Sequence, residues 1–199
     1  MRLWPSRGSQ KTIPEIEITE QSTAGPRAIA VSSGKGGVGK TSISINLALC
    51  LAKMGFRVAV FDADLGMANA EVMLGLAPPY SLYDVLFGNK SLDDITVLGP
   101  GGISIISGGS GFLEMANLDQ DRRQKLIGML NMANNHYDFL LFDTAAGINK
   151  NVLGFVAAAG EVIVVATPEP TSLTDAYALI KVLSCFKVHS EVHIVINRA

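Results

Sequence analysis

The sequence predicts a doubly wound α/β fold, a mostly parallel β-sheet with helices on both faces. Short apolar runs recur from Arg27 onward, nearly continuous in Val, Ile, Leu, Phe and Ala rather than alternating with polar residues. That is the pattern of strands buried on both faces. Segments with apolar residues at helical spacing separate the runs, and strand–helix alternation builds a parallel sheet with helical crossovers. A glycine-rich loop joins the first run to the first helix. Composition agrees with a globule. Of 199 residues, 48% are hydrophobic and 17% charged, enough to bury a substantial core in one domain.

Along the chain, residues 1–26 are polar, are broken by Pro5, Pro14 and Pro26, and mix Arg7 and Lys11 with Glu15, Glu17 and Glu20. They are expected to form a flexible solvated arm ahead of a single domain over 27–199. The first strand is expected over Ala28–Ser32. Ile43, Leu47, Leu51 and Met54 then recur at helical spacing, and Gly55 provides the stop. Strands follow at Arg57–Asp62, Ile103–Ser107 and Asp138–Asp143, with a helical stripe of Leu126, Met129, Leu130 and Ala133 before the last of them. After the strand Glu161–Thr167, a helix begins past Pro170, where Ser172 and Asp175 stand at capping-box spacing and Ala176, Ile180 and Leu183 follow. Glu191–Asn197 is the last strand. There is no internal repeat.

Charge and cysteines narrow the function classes. Sixteen basic against 18 acidic residues give a net charge of −2, so no global basic field recruits nucleic acid. The two cysteines, Cys50 and Cys185, fall inside helical patterns and are expected to be buried, reduced thiols. No CxxC pair suggests zinc or an iron–sulfur cluster. The N-terminus lacks the apolar core of a signal peptide, and no stretch approaches the roughly 18 apolar residues of a membrane span. A cytoplasmic protein is the expectation.

The segment Gly34-Lys35-Gly36-Gly37-Val38-Gly39-Lys40-Thr41-Ser42 carries the most chemistry. It fits G-x-x-x-x-G-K-[ST] between a strand and a helix, the context a phosphate-binding loop needs. Glycines let backbone N–H groups turn inward around phosphate oxygens, and the helix N-terminus adds its dipole at the same point. Lys40 is placed to neutralise the β- and γ-phosphates, and the Thr41 hydroxyl to ligate Mg²⁺.

Two acidic sites complete the constellation. Asp62 and Asp64 stand two residues apart at the end of the second strand, on one side of it. Paired anions there call for a cation or a water network, although one of the two could instead cap the next helix. Asp143 closes the apolar run Phe139-Leu140-Leu141-Phe142, the Walker B position that holds a Mg²⁺-bound water. Gly147 follows with the backbone freedom to respond to a γ-phosphate.

Lys35, a second lysine inside the loop Gly-Lys-Gly-Gly-Val-Gly-Lys-Thr, makes it resemble the deviant Walker A loop of the MinD/ParA family of P-loop ATPases. The resemblance runs from about Ala28 to the end. It is strongest to the flagellar-number regulators of that family (the FlhG/FleN type) at Phe61–Asn69, Leu98–Gly102, Asp143–Ile148 and Glu169–Lys181. It implies that Lys35 reaches the partner's ATP in an ATP-dependent homodimer, that Asp64 positions the attacking water, and that Asp62 supports the Mg²⁺ hydration shell. Asn197 would hydrogen-bond the adenine edge. ATP, ADP and Mg²⁺ are the implied ligands. An SRP-type flagellar GTPase, flagellar switch-complex proteins or a transcription activator are the implied partners, with transient docking at the inner membrane face.

Relatives continue past the position of Ala199 with more sheet and a C-terminal amphipathic membrane helix, and no Lys/Arg-rich segment here stands in for it. The expectation is therefore a fold truncated at its C-terminal side without autonomous membrane targeting. Two further readings stay open on the sequence: a nucleotide-sensing module without efficient hydrolysis, and a ParA-type ATPase that positions DNA or the division site, against which the acidic balance argues.

Overall fold

Seven strands form one sheet in the order β3-β4-β2-β5-β1-β6-β7 in the computed structural model, which describes residues 26–64, 69–109, 121–122, 125–126, 128, 136–185 and 192–198. The strands are β1 Arg27–Ser33, β2 Val58–Ala63, β3 Thr96–Leu98, β4 Ser104–Ile106, β5 Phe139–Ala146, β6 Glu161–Ala166 and β7 His193–Ile196. β3 pairs antiparallel with β4 and every other pairing is parallel. The described helices are α1 Lys40–Lys53, α2 Ala70–Leu74, α3 Leu82–Leu86, α4 Lys150–Ala158 and α5 Pro170–Cys185.

Side chains alternate across the sheet and divide the core in two. Ala59, Phe61, Leu140, Phe142, Val162 and Val164 join residues of α3, α4 and α5 on one face. Ile29, Val58, Val60 and Leu141 join Ala48, Leu47 and Leu51 of α1 on the other. The expected two-faced α/β sandwich is therefore the fold. Rings lock the first face: Phe61 meets Phe142 edge-on with centroids 6.1 Å apart, and Phe155 of α4 lies 5.5 Å from Phe61. The alternation that sends Phe61 and Phe142 towards α4 sends their neighbours Asp62 and Asp143 to the α1 face.

Several expectations need correction. The buried side of α1 is Ser44, Ile45 and Ala48, one position round from the expected stripe, and Met54 is 72% exposed. Small residues face the sheet because α1 lies close against it, while Ile43, Leu47 and Leu51 pack only partly at the flanks. Cys50, on the outer side of α1, and Cys185, at the last turn of α5, are both exposed, so neither is a buried thiol. α5 starts at Pro170 itself, with the Leu173 N–H bonded to the Glu169 carbonyl. Pro at the first helical position has no N–H to strand. Ser172 therefore lies inside the helix, where its Oγ accepts the Thr167 N–H at 2.9 Å.

β7 is an edge strand with Ile194 and Ile196 exposed, unlike the two-sided burial its composition suggests. Strand β3 and helices α2, α3 and α4 were not expected. α3 carries a capping box in which Ser81 and Asp84 satisfy each other's backbone N–H. Leu126 lies in a helical stretch and is buried. Met129, Leu130 and Ala133 fall outside the described residues, as do residues 1–25 of the expected tail, Glu191 and the Leu65–Ala68 stretch. Among the described residues, no helix is long and apolar enough to cross a membrane.

Candidate phosphate-binding site

Three parallel strands bring the site together. β5 lies between β2 and β1, so Asp143 is opposite Asp62 on one side and Val31 on the other. The loop after β1 then delivers Lys40 and Thr41 at the start of α1, just beyond the strands' carboxyl ends, where open α/β sheets bind ligands.

The loop's backbone is shaped by close approaches. Gly37 and Gly39 have φ of 76° and 94°, conformations in which a side chain would be strained. A Cβ on Gly34 would lie 2.2 Å from the backbone carbonyl carbon of Asp175, so this glycine lets the loop pass directly over the second turn of α5. Val38 is buried with Val31 and Val165 and pins the loop's apolar side. Gly36 and Gly37 face open space, and Ser42 lies half-buried with its carbonyl accepting from Asn46 Nδ2 at 2.8 Å. The Ser33 carbonyl accepts the Gly147 N–H at 2.8 Å, which ties the end of β5 to the loop.

Asp143 is 1% exposed. Its Oδ1 lies 3.0 Å from Ser44 Oγ and 4.0 Å from Lys40 Nζ. Burial pushes its pKa up; the Lys40 charge and hydrogen bonds from Thr41 and Ser44 pull it back, and the nearby Asp64 charge pushes it further up. Asp62 is fully buried. Its Oδ1 accepts the Asp64 N–H at 3.2 Å, and its Oδ2 accepts those of Asn69 and Ala70 at 2.7 and 2.8 Å. Burial raises its pKa from 3.8 to about 7 against those three backbone donors, with the Asp143 charge adding to the rise. Asp62 thus holds the chain that leads into α2, and it fills most of its acceptor capacity in doing so.

The buried Asp143 carboxylate beside Lys40 and the Thr41 hydroxyl bonded to it form an all-oxygen donor set, with Asp62 opposite Asp143 in the sheet. That set fits Mg²⁺, which takes few protein ligands and keeps water and phosphate oxygens for the rest. Among the described residues no three acidic, His or Cys side chains converge into a cage.

Two residues that the resemblance singles out make contacts within the chain. Lys35 Nζ contacts Glu169 Oε2 at 3.0 Å and Thr171 Oγ1 at 3.2 Å, just before and within the first turn of α5 in its own chain. Asn197 donates from Nδ2 to the Val38 carbonyl at 2.8 Å, which places its side chain against the phosphate loop. Ser44 was not singled out. A serine four residues after Lys40, on the sheet-facing side of α1, was the signal that could have found it. Glu169 and Thr171 carried no signal apart from the resemblance.

Comparison with known proteins gives this site its context. A family model described as an AAA domain matches residues 26–196. The chain is 51% identical to the antiactivator FleN of Pseudomonas aeruginosa over 158 residues, 79% of this chain and 56% of the relative. It is 40% identical to the flagellum site-determining protein YlxH of Helicobacter pylori over 162 residues, 78% and 53% of the two chains. The septum site-determining protein MinD of Pyrococcus horikoshii, solved with Mg-ADP, superposes with a TM-score of 0.71 at 32% identity, over 85% of this chain and 68% of that one. The chain spans about half the length of the curated relatives it matches.

Proposed function

The chain belongs to the MinD/ParA family of P-loop ATPases, and from that premise we propose that it is a Mg²⁺-ATP-hydrolysing switch that dimerises around ATP to regulate flagellar number or placement. The observation that carries the reading is the convergence of Lys40, Thr41 and Ser44 on the buried Asp143 directly beneath the glycine loop. A carboxylate 1% exposed beside a lysine is strongly destabilising on its own and is made useful by a divalent cation and a polyphosphate.

Loop backbone N–H groups and Lys40 bind the β- and γ-phosphates. Thr41 and Asp143 would hold Mg²⁺, which when bound would supply positive charge against that developing on the phosphoryl oxygens. Asp62, buried next to Asp143, keeps the chain through Asp64 and Asn69 in place, and Asp64 orients the water that attacks the γ-phosphorus. ADP and inorganic phosphate leave. Lys35 is half-buried, with its ammonium group on Glu169 and Thr171 at the surface, which supports a role in which it swings to a second subunit's phosphates and makes turnover depend on dimerisation. A relative described as an antiactivator supports a transcription activator as the partner, with an SRP-type flagellar GTPase or switch-complex proteins as the other partners of this class. Transient docking at the inner membrane face belongs to the same reading.

Single-turnover hydrolysis of Mg²⁺-ATP by wild type, Lys40→Ala and Asp64→Ala tests the chemistry. A fall of at least about 10²-fold is expected in both variants, the scale of losing one group that stabilises the transition state. Equal hydrolysis by all three sinks the proposal. Gel filtration of Asp64→Ala with ATP and with ADP tests the switch, since only ATP is expected to shift it to a dimer.

A further inference from the structure

We propose that Ser44 is a positioning residue for the Mg²⁺ site: its hydroxyl, on the sheet-facing side of α1, fixes the Asp143 carboxyl group and so sets the plane in which that carboxylate meets the cation. The inference rests on the nucleotide reading above and deepens it.

Ser44 and Asp143 stand 99 positions apart in the sequence, and both are closed to solvent, at 0% and 1% exposure. Helix register brings Ser44 to the site. It follows Lys40 by four residues, one turn further along the same side of α1. Its Oγ lies 3.0 Å from Asp143 Oδ1 and 3.1 Å from the Lys40 carbonyl oxygen. A hydroxyl has one proton to donate, so the two acceptors compete for it. Bonding to the carbonyl four residues back is the ordinary habit of a serine inside a helix. Here that carbonyl already has a partner in the helix ladder, whereas a bond to a carboxylate is charge-assisted and is strengthened where water is excluded. The proton therefore belongs to Asp143.

Asp143 needs such a donor. The torsion that turns an aspartate's carboxyl plane is broad, so the two oxygens take their direction from the groups that bond them. Lys40 Nζ, 4.0 Å from Oδ1, is beyond hydrogen-bond reach and is the group that meets phosphate. Thr41 also bonds Asp143, but its oxygen is the one that would ligate Mg²⁺. Ser44 has neither task. It packs against the sheet beside Ile45 and Ala48, where alanine would serve packing as well. What the hydroxyl adds is the orientation of the carboxylate, and partners of that kind change a metal site's affinity by about 10–100-fold.

The test reads what Mg²⁺ adds to ADP binding. Calorimetric ADP affinity is measured with Mg²⁺ and with chelator for wild type, Ser44→Ala and Ser44→Thr. Ser44→Ala is expected to cut the Mg²⁺-dependent gain by about tenfold and to leave metal-free ADP affinity nearly unchanged, whereas Ser44→Thr, which keeps the hydroxyl, retains the gain. A full gain in Ser44→Ala overturns the proposal, and so does a wild type in which Mg²⁺ adds nothing. A loss shared equally by the metal-free and Mg²⁺ measurements overturns it as well, being the mark of a packing defect. If Ser44→Thr loses the gain as fully as Ser44→Ala, shape rather than the hydroxyl matters and the proposal fails. Wild type that binds ADP in neither condition sinks the nucleotide reading itself, an outcome distinct from all of these. Should the variants fold poorly, NMR of wild-type protein decides. A slowly exchanging Ser44 hydroxyl proton coupled to the Asp143 carboxyl carbon is expected. Coupling to the Lys40 carbonyl carbon instead, or exchange at the solvent rate, overturns it.

Discussion

Asp62 is the residue at which the fold and the site pull in opposite directions. It is fully buried, satisfied by the backbone N–H groups of Asp64, Asn69 and Ala70, and faces Asp143 across one strand pairing. Its folded pKa of about 7 lies above the ordinary 3.8, so the folded chain binds this proton more tightly than the unfolded chain. Stability from this group is then complete below the unfolded value and is lost as pH rises through about 7. In metal- and nucleotide-free protein, the thermal midpoint of Asp62→Asn minus that of wild type is expected to climb between pH 5 and pH 8. A difference flat across that range would show that burial does not hold the proton. Excess Mg²⁺-nucleotide should flatten it, because a bound cation favours both carboxylates ionised. Gly34 offers a second test at this scale. A Cβ there meets the Asp175 carbonyl carbon at 2.2 Å, whereas one on Gly36 meets nothing. Gly34→Ala is expected to cost about 1–3 kcal/mol in urea unfolding, and Gly36→Ala to cost markedly less.

The helix α1 shows what a stripe of apolar residues can and cannot tell. From Leu47 to Ala52 its sequence is apolar all round, so two faces compete for the sheet, and helical spacing alone favours Ile43, Leu47, Leu51 and Met54. The sheet selects Ser44, Ile45 and Ala48, because the smaller side chains let the helix axis come close and bring Lys40, Thr41 and Ser44 over Asp143. Ala48→Leu is therefore expected to destabilise by about 1–3 kcal/mol through overpacking, and Met54→Ala, at a side chain 72% exposed, to change the urea midpoint little. The reverse order would restore the sequence-based face. The same contrast explains what was legible. The buried strands β1, β2, β5 and β6 and the loop between β1 and α1 announce themselves, since long apolar runs and a spaced glycine–lysine motif are local signals. Three-residue β3 is too short to leave a pattern, and the five-residue helices α2 and α3 are set by tertiary packing. α4 reads in sequence as a further apolar run. Within the site, the residue types at Lys40, Thr41 and Asp143 are local information. The contacts of Asn197 with Val38 and of Lys35 with Glu169 join positions more than a hundred residues apart, and no spacing rule encodes them.

At the scale of the molecule, the phosphate loop is attached to the strands whose removal would dissolve the sheet. β5 and β1 are central in the strand order, Gly147 at the end of β5 bonds to Ser33, Val38 packs into the core, and Asn197 carries the connection out to edge strand β7. A ligand that binds this loop therefore binds only the globally folded chain, and its free energy should appear in global stability rather than as local ordering. At a hundredfold excess over Kd, binding adds about 2.7 kcal/mol. For a domain of this size each kcal/mol raises the midpoint by about 2–4 °C, so Mg²⁺-ADP should raise it by roughly 5–10 °C. The effect should follow concentration logarithmically, shrink when Mg²⁺ is chelated, and vanish in Lys40→Ala. Hydrogen exchange separates the two possibilities at the level of single amides. Protection should rise together in β1, β5, β6 and α1, because these unfold as one unit. Protection confined to the Gly34–Thr41 amides, with an unmoved midpoint, would mean that the loop opens independently of the sheet and that its ties to Ser33, Val38 and Asn197 carry no stability.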